Sequence, residues 1–171
     1  MAQVFITRVH GFDPARWPAI SFGKDGLRDK LLRESRLGDV SAFVATHGEE
    51  VEPADRGRLL GLAEIGRKPV DTLDLIDRTA LRETDWNSDG TVRWPKSLTM
   101  TRAWRHAGTP PPDIRDVLGR QLTYSATYQA QLLTRGDAEL IRAQPWTPVP
   151  VCQRWLKFPQ KCWSKIPHFR R

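Results

Sequence analysis

Between Asp89 and Asp113 the chain carries no acidic residue, while Arg93, Lys96, Arg102 and Arg105 alternate with Trp94 and Trp104. Guanidinium and ammonium groups hold phosphate oxygens and indole rings stack on bases, so this mixture is the chemistry of nucleic-acid contact. A strand with a solvated basic face and a buried tryptophan has the same composition, and composition alone favours that plainer reading. Catalytic patterns are weaker. None of His10, His47, His106 and His168 stands three or four positions from another histidine or from a cysteine, so no helical metal pair is encoded. His47 is the strongest of the four histidines, since it ends a buried strand just before Gly48. Asp71, Asp74 and Asp77 interleave with Val70, Leu73 and Ile76, the polar face of a helical turn rather than a magnesium site. Glu64-Ile65-Gly66-Arg67-Lys68 lacks the acid-x-lysine register of a metal-dependent nuclease. No phosphate-binding glycine loop, nucleophile elbow or dinucleotide fingerprint occurs. The expectation is a binding protein rather than an enzyme, with no metal and no cofactor.

A chain of 171 residues, 39% hydrophobic and 27% charged, fits one domain with an appendage. Its net charge of +7 is segregated: Arg154, Lys157, Lys161, Lys165, Arg170 and Arg171 follow Gln144 with no acid among them, leaving +1 for residues 1–143. The basic character therefore belongs to the tail and is no sign of a basic face on the body. No apolar run approaches the ~18 residues of a membrane span. Met1-Ala2-Gln3-Val4-Phe5-Ile6-Thr7-Arg8 reads as a first strand rather than a secretory signal. Cys152 and Cys162 make neither a disulfide framework nor a zinc pair, which sets a reducing, cytoplasmic location as the default.

The elements that would position these residues follow from patterning. Residues 2–10 predict a strand, 11–18 a loop, and 25–36 an amphipathic helix with Leu27, Leu31 and Leu32 near one face, Asp25 at its cap and Gly38 at its end. Strands are predicted over 40–46, over 58–65 with Gly61 marking a bulge or a close backbone approach, and over 92–104. Residues 70–80 predict a helical turn or two. Pro110-Pro111-Pro112-Asp113 stops one element and starts a helix through Ile114, Val117 and Leu118. Residues 128–132 alternate as a half-buried strand, and Thr134 caps a last helix. From Pro145 periodicity disappears, which predicts a poorly ordered or partner-dependent extension over 144–171. Strands separated by short helices give an α+β fold, a small curved sheet or open barrel with helices at its ends.

Three segments taken in order resemble the EVE branch of the PUA-like superfamily, of the type found ahead of HNH nuclease domains. They are Ser21-Phe22-Gly23-Lys24-Asp25-Gly26-Leu27 leading to Gly38-Asp39, Gly57-Arg58-Leu59-Leu60-Gly61-Leu62-Ala63-Glu64-Ile65, and Arg93-Trp94-Pro95-Lys96-Ser97-Leu98 continuing to Trp104. The match spans about residues 3–143; Thr46-His47-Gly48 stands where the commoner pattern has a Tyr-His-Ser type of sequence. The resemblance implies a PUA-like barrel whose pocket accepts a base turned out of a duplex or already unpaired, such as 5-methylcytosine in DNA. It implies cage walls at Phe22, Trp94 and Trp104. Edge readers would be Ser21, Thr46 or His47, with backbone amides near Gly23 and Gly48, and phosphate contacts would come from Lys24, Arg93, Lys96 and Arg102.

No HNH-like constellation of histidine and cysteine follows, so the resemblance points to a reader of modified bases rather than a complete modification-dependent restriction nuclease. Two other readings stay open on sequence: a component of such a nuclease, and a protein-interaction or regulatory module acting through the basic tail. The aromatic residues of that tail, Trp146, Trp155, Phe158, Trp163 and Phe169, alternate with its cations.

Overall fold

The computed structural model describes residues 2–122 and 130–152. The strands are β1 (Val4–Val9), β2 (Ala19–Phe22), β3 (Val40–Ala45), β4 (Leu59–Asp71), β5 (Lys96–His106), β6 (Gln131–Leu132) and β7 (Trp146–Val149). The helices are α1 (Asp25–Glu34), α2 (Thr72–Leu75), α3 (Ile114–Leu118) and α4 (Arg135–Arg142). One mixed sheet runs β2-β5-β4-β3-β1-β6 and curls into an open half-barrel, an α+β fold consistent with a PUA-like one. β1 and β3 are parallel, with Val4 opposite Val40 and Val9 opposite Ala45; the other pairings are antiparallel. β4 lies along one edge of β5. On the other edge β2 covers the first half of β5 and β7 the second.

Alternation along the strands, shifted once by the irregularity between Leu59 and Gly61, builds two apolar layers. Val4, Ile6, Ala42, Val44, Leu59 and Leu62 pack on one face with Ile114, Leu118 and Ile141 of α3 and α4. Phe5, Phe43, Ala63 and Ile65 point to the other face, where Ile20, Phe22, Leu98 and Met100 close over Leu31 of α1. Burial on both faces explains the near-continuous apolar runs of β1 and β3, as in other doubly covered strands.

Two glycines and one carboxylate set the backbone paths. At Gly61 a Cβ would stand 2.2 Å from the Phe12 ring, which stacks on Phe43 with centroids 4.9 Å apart. The β3–β4 register slips beside it, between Phe43 and Val44, so the predicted bulge and the predicted close approach both occur. Gly66 sits where β4 shifts register against β5, and a Cβ there would meet the Thr99 carbonyl oxygen at 2.5 Å. Asp39, 2% exposed, accepts the backbone N–H of Gln3 at 2.6 Å and of Arg36 at 2.7 Å, fastening the start of β1 to the turn before β3.

Several expectations need correction. The loop predicted over 11–18 leads into a strand, β2, too short to register as one, and β4 runs on to Asp71. β5 begins at Lys96 rather than Val92. Residues 70–80 hold the four-residue α2 and a single 3-10 turn at Arg78–Ala80, the helical turn or two expected there. Asp25 lies inside the first turn of α1, behind Lys24 at the cap, and Gly38 (φ 87°) turns the chain into β3 rather than ending α1. The extension predicted from residue 144 starts too early, because β7 pairs with β5 and Trp146 packs on the first apolar layer. As an edge strand β7 tolerates Pro148, which has no N–H to give a ladder. The strand predicted over 128–132 is described only at Gln131–Leu132; residues 128 and 129, like the tail after Cys152, lie outside the described residues.

Candidate functional site

Because β1 and β3 are parallel, the residues that follow them emerge together. The Thr46 N–H donates to Val9 O at 2.9 Å, which sets Thr46 beside the end of β1 and His10. The curl of β4 and β5 carries the segment before β5 back over this edge. There the Trp94 ring meets the His10 ring at 4.9 Å between centroids and 87° between planes, the edge-to-face contact that aromatic quadrupoles favour. The Arg93 guanidinium stands 5.1 Å from the Trp94 ring centroid. It also donates to Glu50 Oε1 at 3.2 Å and to Thr84 O at 3.2 Å. Arg93 N–H donates to Asp85 O, and Trp86 bridges to Val92, so the 85–93 turn is braced at its base.

Burial pushes the His10 imidazole below its ordinary pKa, against the pull of the nearby Glu50 carboxylate and with help from Arg93 and Arg82. The ring is therefore neutral at pH 7. Its Nδ1 is buried and has no hydrogen-bond partner among the described residues. Glu50 is held below the usual carboxylate range by its own backbone amide and by Arg93.

The Trp94 backbone is fixed by a chain of hydroxyls. Trp17 Nε1 donates to Ser21 Oγ at 2.8 Å, Ser21 Oγ lies 2.7 Å from Ser97 Oγ, Ser97 Oγ lies 2.7 Å from Thr72 Oγ1, and Thr72 Oγ1 donates to Trp94 O. An indole N–H only donates and a carbonyl only accepts, so each hydroxyl between them donates in one direction, toward Trp94. Thr72→Val keeps the shape but strands the Trp94 carbonyl and the Ser97 hydroxyl. Urea denaturation is expected to show a loss of about 1–3 kcal/mol.

The predicted site residues divide. Trp94, Arg93 and Thr46 fall in this neighbourhood, and Gly23 joins them, since a Cβ on it would stand 3.4 Å from Arg93 O. Thr46, 9% exposed, uses its hydroxyl to accept from the Gly48 N–H at 3.4 Å. Phe22 is no cage wall: it is 3% exposed inside the second apolar layer, carried there with Ile20 by the pleat of β2. Ser21 is spent in the hydroxyl chain. Trp104 lies far along β5, opposite Leu62 and Pro148, and packs on the first apolar layer. His47 lies against Gly57, where a Cβ would meet its Cε1 at 2.9 Å and Asp113 Oδ2 at 3.4 Å.

Of the four predicted phosphate contacts only Lys24 is an exposed cation with no carboxylate pairing among the described residues. Arg93 pairs with Glu50, Lys96 with Asp71 at 2.9 Å and with Asp25 at 3.7 Å, and Arg102 with Glu64 at 2.6 Å. Sequence reasoning missed His10 and Glu50. The position of His10 directly after an apolar strand was the available signal, but nothing local says that β1 and β3 run parallel.

Among the described residues no group of three or more His, Cys, Asp or Glu side chains is arranged to hold a metal ion, and no helix is long and apolar enough to cross a membrane. A cavity of about 220 Å³ opens between Ala15, Arg16, Pro18, Leu75, Asp77, Thr79 and Cys152; none of the predicted base-pocket residues lines it. No protein-family model matches the chain, and no curated protein matches it. Among solved structures, a hypothetical protein from Leishmania major is similar over 83% of this chain and 93% of its own, at 16% identity and a TM-score of 0.49.

Proposed function

We propose that this chain is a PUA-like reader that binds nucleic acid, DNA in the first instance, and holds an unstacked, modified base against Trp94. One observation carries the reading: a half-buried indole whose edge-to-face contact is His10 and whose cover is a guanidinium, on a backbone locked by hydroxyls. A base entering this place displaces Arg93. The cation–π contact given up is worth about 0.5–1 kcal/mol, and the partly exposed Arg93–Glu50 pair up to about 1 kcal/mol. Stacking on Trp94 returns roughly 1–3 kcal/mol, so the exchange runs from a net cost of about 1 kcal/mol to a gain of about 2.5 kcal/mol. The unbonded Nδ1 of the neutral His10 supplies a polar group for the edge of the base, and the freed Arg93 a cation for its phosphate.

A buried methyl group on the base adds only about 0.8 kcal/mol, roughly a fourfold preference. Matched oligonucleotides differing only in cytosine 5-methylation test this by fluorescence anisotropy at fixed salt. The full chain is expected to prefer the modified strand. Trp94→Ala is expected to weaken binding of that strand about five- to 150-fold and to erase the preference; an unchanged preference in Trp94→Ala would refute the reading.

A further inference from the structure

One nitrogen of Arg93 serves two acceptors. Its Nη1 donates to Glu50 Oε1 at 3.2 Å and to Thr84 O at 3.2 Å, while the guanidinium lies over the Trp94 ring. A flat N–H2 group above an indole, giving one proton to a carboxylate and one to a carbonyl, is also what a stacked base with an exocyclic amino group presents. We infer that Glu50 Oε1 and Thr84 O form a receptor for such an amino group, and that Glu50 turns away bases carrying an oxo group in its place. Arg93 is then an internal stand-in that leaves when the base arrives. The inference rests on the reader hypothesis above for the stacking itself, and it narrows the ligand to an amino-bearing base such as cytosine.

The two acceptors are set by contacts of their own. Thr84 lies in the turn Glu83–Asp85, which is tied by the Asp85 N–H to Arg82 O at 3.0 Å and the Trp86 N–H to Glu83 O at 3.2 Å. The Arg82 N–H donates to Asp85 Oδ2 at 2.8 Å and closes the same turn from the other side. Glu50 lies in a turn closed by the Val51 N–H on Gly48 O at 3.2 Å, with the Val51 side chain buried. Its carboxylate folds back over Gly48, where a Cβ would stand 2.4 Å from Oε2, and Oε1 is the oxygen that faces Arg93. With Arg93 displaced, an ionised carboxylate and a carbonyl remain, and neither has a proton to give.

That polarity decides between two bases that stacking cannot separate. 5-Methylcytosine and thymine are flat rings of similar size with the same methyl group, so Trp94 and a methyl pocket treat them alike. They differ at one edge position, an amino donor in cytosine and an oxo acceptor in thymine. The thymine oxygen would face two acceptors with no proton between them, and groups left unpaired in this way are how a hydrogen-bonding site rejects an analogue.

The test uses the full chain and two oligonucleotides identical except for one unpaired base, 5-methylcytosine or thymine, with affinities read by fluorescence anisotropy at fixed salt. The unaltered chain is expected to favour the 5-methylcytosine strand by about ten- to 150-fold, the worth of a hydrogen bond to a charged acceptor. Glu50→Gln is expected to collapse that ratio toward unity, because the amide turns to offer its own N–H2 to the thymine oxygen. The ratio compares two strands on one protein, so any unfolded fraction in the variant cancels. Trp94→Ala is expected to weaken both strands. Equal affinities in the unaltered chain, or a full ratio in Glu50→Gln, overturn the amino receptor and leave the base reading standing so long as Trp94→Ala still weakens both strands. Unchanged binding of both strands by Trp94→Ala overturns the two together.

Discussion

Gly66→Ala is expected to destabilise the fold by about 3–4 kcal/mol, beyond the 1–3 kcal/mol that an overpacked core position usually costs. The reason lies in what the new methyl would strike. Its Cβ would fall 2.1 Å from Thr99 Oγ1, 2.5 Å from the Thr99 carbonyl oxygen and 2.9 Å from the Thr99 carbonyl carbon. A side chain can rotate away, but the last two atoms belong to the backbone of β5, so β4 and β5 must separate where their register already shifts. Both are interior strands of the sheet, and β5 also carries β2 and β7. For a chain of this size each kcal/mol is worth about 2–4 °C, so thermal unfolding should show a drop of roughly 10 °C. Gly61→Ala offers the internal contrast. The three nearest atoms its methyl would meet all belong to the side-chain ring of the half-buried Phe12 rather than to backbone. A smaller loss at Gly61 than at Gly66 supports this account, and equal losses would contradict it.

Asp39→Ala should be of comparable size for a different reason. Its carboxylate satisfies two backbone amides, Gln3 and Arg36, from a position 2% exposed to solvent. Hydrogen bonds to a charged acceptor contribute about 1.5–3 kcal/mol each, so losing both costs about 3–6 kcal/mol. Asp39→Asn keeps one acceptor oxygen and should recover part of that loss. A denaturant midpoint that ranks the native chain above Asn, and Asn above Ala, is the expected result; identical midpoints for Asn and Ala would show that the carboxylate does not act as a double acceptor.

The sequence reading succeeded where a signal is local and long. β1, β3 and the first half of β4 are apolar runs, and Gly61 was legible because a glycine inside a strand has few purposes. The α+β class followed from the order of these elements. β2 failed because the four residues between Pro18 and Gly23 give too short a pattern, with only Ile20 and Phe22 as large apolar side chains, on either side of Ser21. That short alternation is enough, once paired with β5, to bury Phe22 in the core and leave Ser21 for the hydroxyl chain. β7 failed because Trp146-Thr147-Pro148-Val149 looks like the tail that follows it. The site was half legible. Trp94 and Arg93 stood out by composition, whereas His10 meets Trp94 only through the curl of the sheet, and the pairing of Arg93, Lys96 and Arg102 with acids is a tertiary fact. Asp39 was seen to open β3, but its grip on Gln3 depends on β1 and β3 lying side by side.

The placement of β2 has a consequence for how the chain is made. Among the described residues β2 hydrogen-bonds within the sheet only to β5, and Ser21 and Ser97, which face each other across that ladder, are 76 positions apart. At synthesis rates of about 5–20 residues per second, β2 waits roughly 4–15 s for its partner. During that time Ile20 and Phe22 are left uncovered by β5, a window in which a nascent chain would be open to chaperones or to mispairing with another copy.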